Sequence, residues 1–78
     1  MLTGVQIRSA RAALGWSLAE LAESSGVSLS TIRRAEADDG VPSTTTPNVN
    51  AIKSAFEAAG IEFIGSPDDG PGIRIRRP

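Results

Sequence analysis

Seven consecutive residues, Ser28-Leu29-Ser30-Thr31-Ile32-Arg33-Arg34, set three hydroxyls and two guanidinium groups within about two helical turns. A guanidinium presents a rigid fork of N–H donors, and a fork facing the O6 and N7 acceptors of guanine discriminates that base by about 1–3 kcal/mol. An arginine pair on a helix is also an ordinary solvated face, so the elements that hold the segment must decide between the two readings. Other chemistries have little to work with. The 78 residues contain no histidine and no cysteine, which removes the commonest general base, the commonest metal ligands and any disulfide. No glycine-rich phosphate loop is present, and Gly70-Pro71-Gly72 reads as a turn. An enzyme is therefore not expected, nor a cofactor or a bound metal.

The elements around the segment follow from apolar spacing and from caps. From Thr3 to Leu14, Ile7, Ala10 and Leu14 recur at helical intervals, and Gly15 suits the position after a helix. Ser17 and Glu20 form a capping box for a second helix with Leu18, Leu21 and Ala22 on its apolar side, stopping near Ser24 and Ser25 before Gly26. Val27 is expected to point inward. Ser28 caps a third helix over Leu29 to Ala37 with Ile32 and Ala35 inward, which leaves Ser30, Thr31, Arg33 and Arg34 facing water or a ligand. A breaker-rich loop from Asp38 to Thr45 leads to a fourth helix, with Thr46 as its cap, Pro47 in its first turn and Val49, Ile52, Phe56 and Ala59 as its buried stripe. Ile61 to Ile64 and Ile73 to Arg76 alternate or nearly so and flank a run of turn residues, predicting a hairpin with a long loop over residues 65–72. The expected division is residues 1–60 as one helical domain and 61–78 as a hairpin that packs on it or pairs with a second copy.

Two short helices joined by a glycine-containing turn cross steeply, and the second projects its leading side chains outward, where a major groove admits them. At Glu20, Leu21 and Ala22, followed by Gly26, Val27, Ser28, Ile32 and Glu36, the sequence resembles the Cro and phage-repressor (XRE) helix-turn-helix family, over Gln6 to about Ala59. The resemblance implies a mostly α fold, a lambda-repressor-like bundle of four helices, here with a C-terminal β-hairpin. It further implies a transcriptional regulator that binds double-stranded DNA. Base edges would be met by Leu29, Ser30 and Arg34, and phosphates by Ser17, Ser28, Thr31 and Arg33. It also pairs an arginine of the first helix with a glutamate ending the third, here Arg11 with Glu36, as a structural contact. The sequence departs from the family pattern in two respects: Leu18 stands where a phosphate-contacting glutamine is usual, and Asp38 and Asp39 occupy a loop that is often basic.

Charge bears on the same question. Eight basic and nine acidic residues leave a net charge of −1, whereas duplex affinity comes largely from neutralised phosphates. A local basic face remains available, because Arg8, Arg11, Arg33 and Arg34 lie in the first half and Arg74, Arg76 and Arg77 at the end. The terminal arginines read either as a phosphate-binding ribbon or as the solubilising outer face of the hairpin. Asp38-Asp39 and Asp68-Asp69 lack a calcium-loop pattern and read as turn and cap residues. Trp16 reads as a core anchor rather than a base-stacking platform. Short apolar runs and the lack of a signal-like start point to a cytoplasmic chain with no membrane association. A homodimer is expected, since one recognition helix makes few base contacts. The alternative reading is a helix-turn-helix protein-interaction module, antitoxin-like or an adaptor subunit, that needs a partner for DNA binding.

Overall fold

In the computed structural model, which describes residues 2–76, a hydroxyl side chain opens every helix. Thr3, Ser17, Ser28 and Thr45 each accept a hydrogen bond from the backbone N–H three residues on, at 3.2, 3.1, 3.3 and 3.4 Å, which satisfies a donor that the first turn leaves unpaired. The helices they open are α1 (Gly4–Leu14), α2 (Leu18–Ser25), α3 (Leu29–Ala37) and α4 (Thr46–Ala58). Gly15 and Gly26 follow α1 and α2 in the left-handed conformation, at φ 67° and 73°, that ends a helix without a Cβ penalty. The fourth cap differs from expectation by one residue: Thr45 is the cap, while Thr46 and Pro47 lie in the first turn of α4. Ala59 is likewise the residue after α4 rather than its last, and it is only half-buried.

The chain ends in an antiparallel hairpin of β1 (Ile61–Ser66) and β2 (Asp69–Ile75). Its loop is far shorter than the sequence reading allowed. The strands continue through the turn residues to a Ser66–Asp69 pair, leaving Pro67 and Asp68 between them. Glycine makes this possible: between the pairs Ile64–Gly72 and Ser66–Asp69, Gly65 alone faces Gly70 and Pro71, and both glycines have positive φ. A cluster of Gly, Pro and Asp therefore marked a bulge rather than an unstructured loop. Arg77 falls outside the described residues.

The core is formed where the elements converge: Ile7 and Ala10 from α1, Leu21 from α2, Val27 from the turn, Ile32 and Ala35 from α3, Val49, Ile52 and Phe56 from α4, and Ile61 from β1. Phe56 lies between two other aromatic rings. Trp16 stacks on it with ring centroids 5.6 Å apart, and Phe63 meets it edge-on at 5.9 Å. Trp16 is thus packed against the core from the α1–α2 connection. The hairpin is secured by Phe63 and Ile73 against the same core and by Gln6. The Gln6 side chain reaches back to the N–H of Thr3 and donates to the carbonyls of Ile64 and Gly72, so one buried amide caps α1 and holds both strands.

Candidate nucleic-acid interface

The turn between α2 and α3 is stitched by its own side chains. Ser25 Oγ donates to the carbonyl of Leu21 and accepts from the N–H of Val27, while Gly26 N–H returns to the carbonyl of Ala22 at 2.9 Å. Val27 is buried beneath the turn, and α3 starts immediately after it. The faces of α3 separate cleanly: Ile32, Ala35 and Glu36 are buried, whereas Leu29, Ser30, Arg33 and Arg34 are exposed and Thr31 is half-exposed. Leu29 leaves 37% of its surface to solvent despite being apolar, at the leading end of the helix.

Ser28 is exposed as well as being the cap, and its hydroxyl donates to Thr31 Oγ1 at 2.8 Å and lies 3.4 Å from Ser30 Oγ. Three hydroxyls thus form one connected group at the positive end of the α3 dipole. Ser17, at the start of α2, is exposed, and its capping box is closed by the Glu20 carboxylate. Leu18 beside it is half-buried and packs against the core, so the residue that departs from the family pattern serves as a hydrophobic anchor. Among the described residues, neither Arg33 nor Arg34 takes part in an ion pair; the four present are Arg8–Asp39, Arg11–Glu36, Arg74–Glu62 and Arg76–Glu62.

The opposite end of α3 is anchored to α1. Arg11 grips the Glu36 carboxylate with two nitrogens, at 2.8 and 3.0 Å, and donates a third bond to the carbonyl of Trp16 at 3.0 Å. The bond to Glu36 raises the Arg11 pKa above its ordinary value, with burial acting in the opposite direction. Arg8, one turn earlier, donates to the backbone carbonyl of Glu36 and to the Asp39 carboxylate. Gly4 N–H donates to the carbonyl of Gly40 at 2.9 Å, and the bare Cα of Gly4 lies against the backbone of Asp38 and Ala35. Asp38 turns its carboxylate onto the N–H of Gly40. The two acids that follow α3 are therefore both engaged, one by a backbone amide and one by a guanidinium.

Residues 7–46, just over half of the chain, match the profile of the helix-turn-helix family of Cro/C1 (XRE) type. The chain belongs to that family. Its members are DNA-binding transcriptional regulators, so this helix-turn-helix protein is a DNA-binding regulator in that general sense, and the exposed face of α3 is its candidate reading surface. The match stops at the first residue of α4, leaving the rest of α4 and the hairpin beyond it. No curated protein matches the sequence.

Of the remaining sequence readings, the Arg11–Glu36 pair is present as a structural contact. Arg74 and Arg76 both lean on Glu62 across the hairpin, where the single carboxylate offsets one of their two charges. Among the described residues no cluster of three or more His, Cys, Asp or Glu could hold a metal ion, and no helix is long and apolar enough to cross a membrane. Two positioning residues escaped the sequence reading. Gln6 was marked by a Thr3-x-x-Gln6 capping box that went unread. Arg8 was read only as part of a possible basic face; its role in holding the end of α3 carried no local signal, because its partners lie 28 and 31 residues away.

Proposed function

We propose that this protein reads a specific duplex sequence by laying α3 in the major groove. Leu29, Ser30 and Arg34 meet base edges, while Ser17, Ser28, Thr31 and Arg33 contact phosphates. The observation that carries the reading is the exposed, ion-pair-free face of Arg33 and Arg34 on a helix whose other side is locked into the core. A guanidinium already paired with a carboxylate would have to break that pair before meeting a base; Arg34 is spared this. In this reading residues 1–60 bind DNA and 61–78 supply a packing or dimerisation element. The protein acts as a homodimer, since a two-fold axis lets two recognition helices read half-sites about 34 Å apart. The hairpin is the proposed interface: a two-stranded sheet leaves its outer strand edges unpaired, and Ile75 is half-exposed near its end.

Selecting bound duplexes from a random pool, then repeating the selection with Arg34→Ala, tests the assignment. Loss of preference at one base position in each half-site is expected. Log affinity that stays flat against log salt, or equal affinity for selected and random duplexes, would refute it.

Leu18 favours a second reading. Its side chain is turned into the core, so α2 lacks the polar group that family members offer to phosphate at this position, and a protein partner would supply the missing affinity. A purified chain that ignores every duplex yet co-purifies stoichiometrically with another protein is the outcome that selects this alternative.

A further inference from the structure

Arg34 shares a shallow surface concavity with Ala37, Asp38, Asp39 and Ser43, at the end of α3 where the chain turns away. Two acidic residues thus line the same concavity as the arginine that the proposed function assigns to base reading, and among the described residues neither forms an ion pair with it. Asp38 is occupied by the N–H of Gly40. Asp39 is highly exposed and held only by Arg8, whose other nitrogen is fixed on the backbone carbonyl of Glu36. Arg8 thereby ties the end of α3 and the loop after it to α1, one donor of a rigid group on each.

We propose that Arg8 is a positioning residue for base reading: by holding the Asp39 carboxylate against α1, it keeps that carboxylate from pairing with Arg34 and so keeps the Arg34 fork available to a base. With Arg8 removed, Asp39 loses the one cation it pairs with among the described residues, and Arg34, which lines the same concavity, becomes the available partner. An Arg34–Asp39 pair would occupy the donors that guanine needs, and it would set a negative charge at the groove edge. Charge in this loop then acts on which base is read as well as on overall affinity. The inference rests on the reading of Arg34 as a base contact.

The test compares the wild type with Arg8→Gln, Arg8→Gln/Asp39→Asn, Arg8→Gln/Asp68→Asn and Arg8→Lys. Each is titrated by fluorescence anisotropy, at one salt concentration, against the selected duplex and its single-base variants. Arg8→Gln is expected to lose about two- to fivefold of the preference at the base opposite Arg34, the range that an exposed competing ion pair can supply. Adding Asp39→Asn restores that preference, because the competing carboxylate is gone. Asp68→Asn restores the same net charge from the hairpin turn, and it is expected to leave the preference lost. Arg8→Lys keeps a cation opposite Asp39 but lacks the rigid two-donor fork, so it is expected to keep more of the preference than Arg8→Gln, which provides a result independent of how well Arg8→Gln folds.

An unchanged preference in Arg8→Gln overturns the inference, as does a loss that Asp39→Asn fails to restore, since the lost bond to Glu36 would then account for it. Equal rescue by Asp68→Asn, or a loss in Arg8→Lys as large as that in Arg8→Gln, overturns it too. A wild-type chain with no base preference at all refutes the DNA reading itself, and this inference falls with it.

Discussion

Replacing Arg11 with methionine tests the anchor that orients α3. The change removes two charge-assisted bonds to Glu36 and one to the Trp16 carbonyl, and it leaves the Glu36 side chain, only 8% exposed, without its paired cation. Breaking a fully buried ion pair by deleting one partner costs about 3–5 kcal/mol, mostly as the penalty of stranding the other charge. The Arg11 side chain is 27% exposed, so water reaches the vacated position from one side. That discounts the expected cost to about 2–3 kcal/mol. In a domain of this size each kcal/mol moves the melting temperature by about 4–8 °C, so a drop of roughly 10–20 °C is expected. Thermal and urea denaturation followed by circular dichroism at neutral pH give both numbers. The companion Arg11→Met/Glu36→Met removes both charges and is expected to be more stable than Arg11→Met alone, because nothing charged is left stranded. A cost within about 0.5 kcal/mol for Arg11→Met, the range of ordinary surface changes, would refute the reasoning, and so would a double variant weaker than the single one.

Three further outcomes follow from particular contacts. Gly4→Ala gains roughly 1 kcal/mol in helix propensity, yet its new Cβ would collide with the Asp38 carbonyl and lie 2.8 Å from that of Ala35, so a net loss of about 2 kcal/mol in urea denaturation is expected. Thr45→Ala removes the cap of α4 and is expected to cost about 1 kcal/mol, while Thr46→Ala stays within about 0.5 kcal/mol; the reverse order would return the cap to Thr46. The Arg76 guanidinium, with help from Arg74, holds the Glu62 pKa below its ordinary value. Stability from a lowered carboxylate pKa is present above the unfolded pKa and lost as pH falls through the folded one, so the advantage of wild type over Glu62→Gln should shrink below about pH 4. Parallel denaturation at neutral pH and near pH 2.5 checks this, and an advantage unchanged in acid contradicts it.

Much of the helical part of this protein is legible in its residues because the determinants are local. A hydroxyl three residues before a donor, a glycine after the last turn and apolar groups at helical spacing all act within a few positions, and they placed α1, α2 and α3 to within a residue. The same signals set Arg33 and Arg34 opposite Ile32 and Ala35, so the outward face of α3 was foreseeable. Errors arose where two local signals compete. Thr45 and Thr46 are both competent caps, and the choice between them depends on which N–H lies within reach. In the hairpin, Gly65, Gly70 and Pro71 are turn residues by composition, but the paired strand next to them converts them into a bulge.

What the sequence by itself determined is the set of helices, the turn that joins α2 to α3 and the chemistry on the exposed side of α3. Tertiary structure alone decided how that helix is held: Gly4 against the Asp38 backbone, Arg8 spanning Glu36 and Asp39, and Gln6 tying α1 to both strands. These contacts join residues about thirty to sixty-six positions apart, and their existence depends on where whole helices come to rest. Cap and turn preferences are decided within a few residues and are written into the order of the chain; pairing across such separations is selected by the packing of the core, which exists only once all the elements have met.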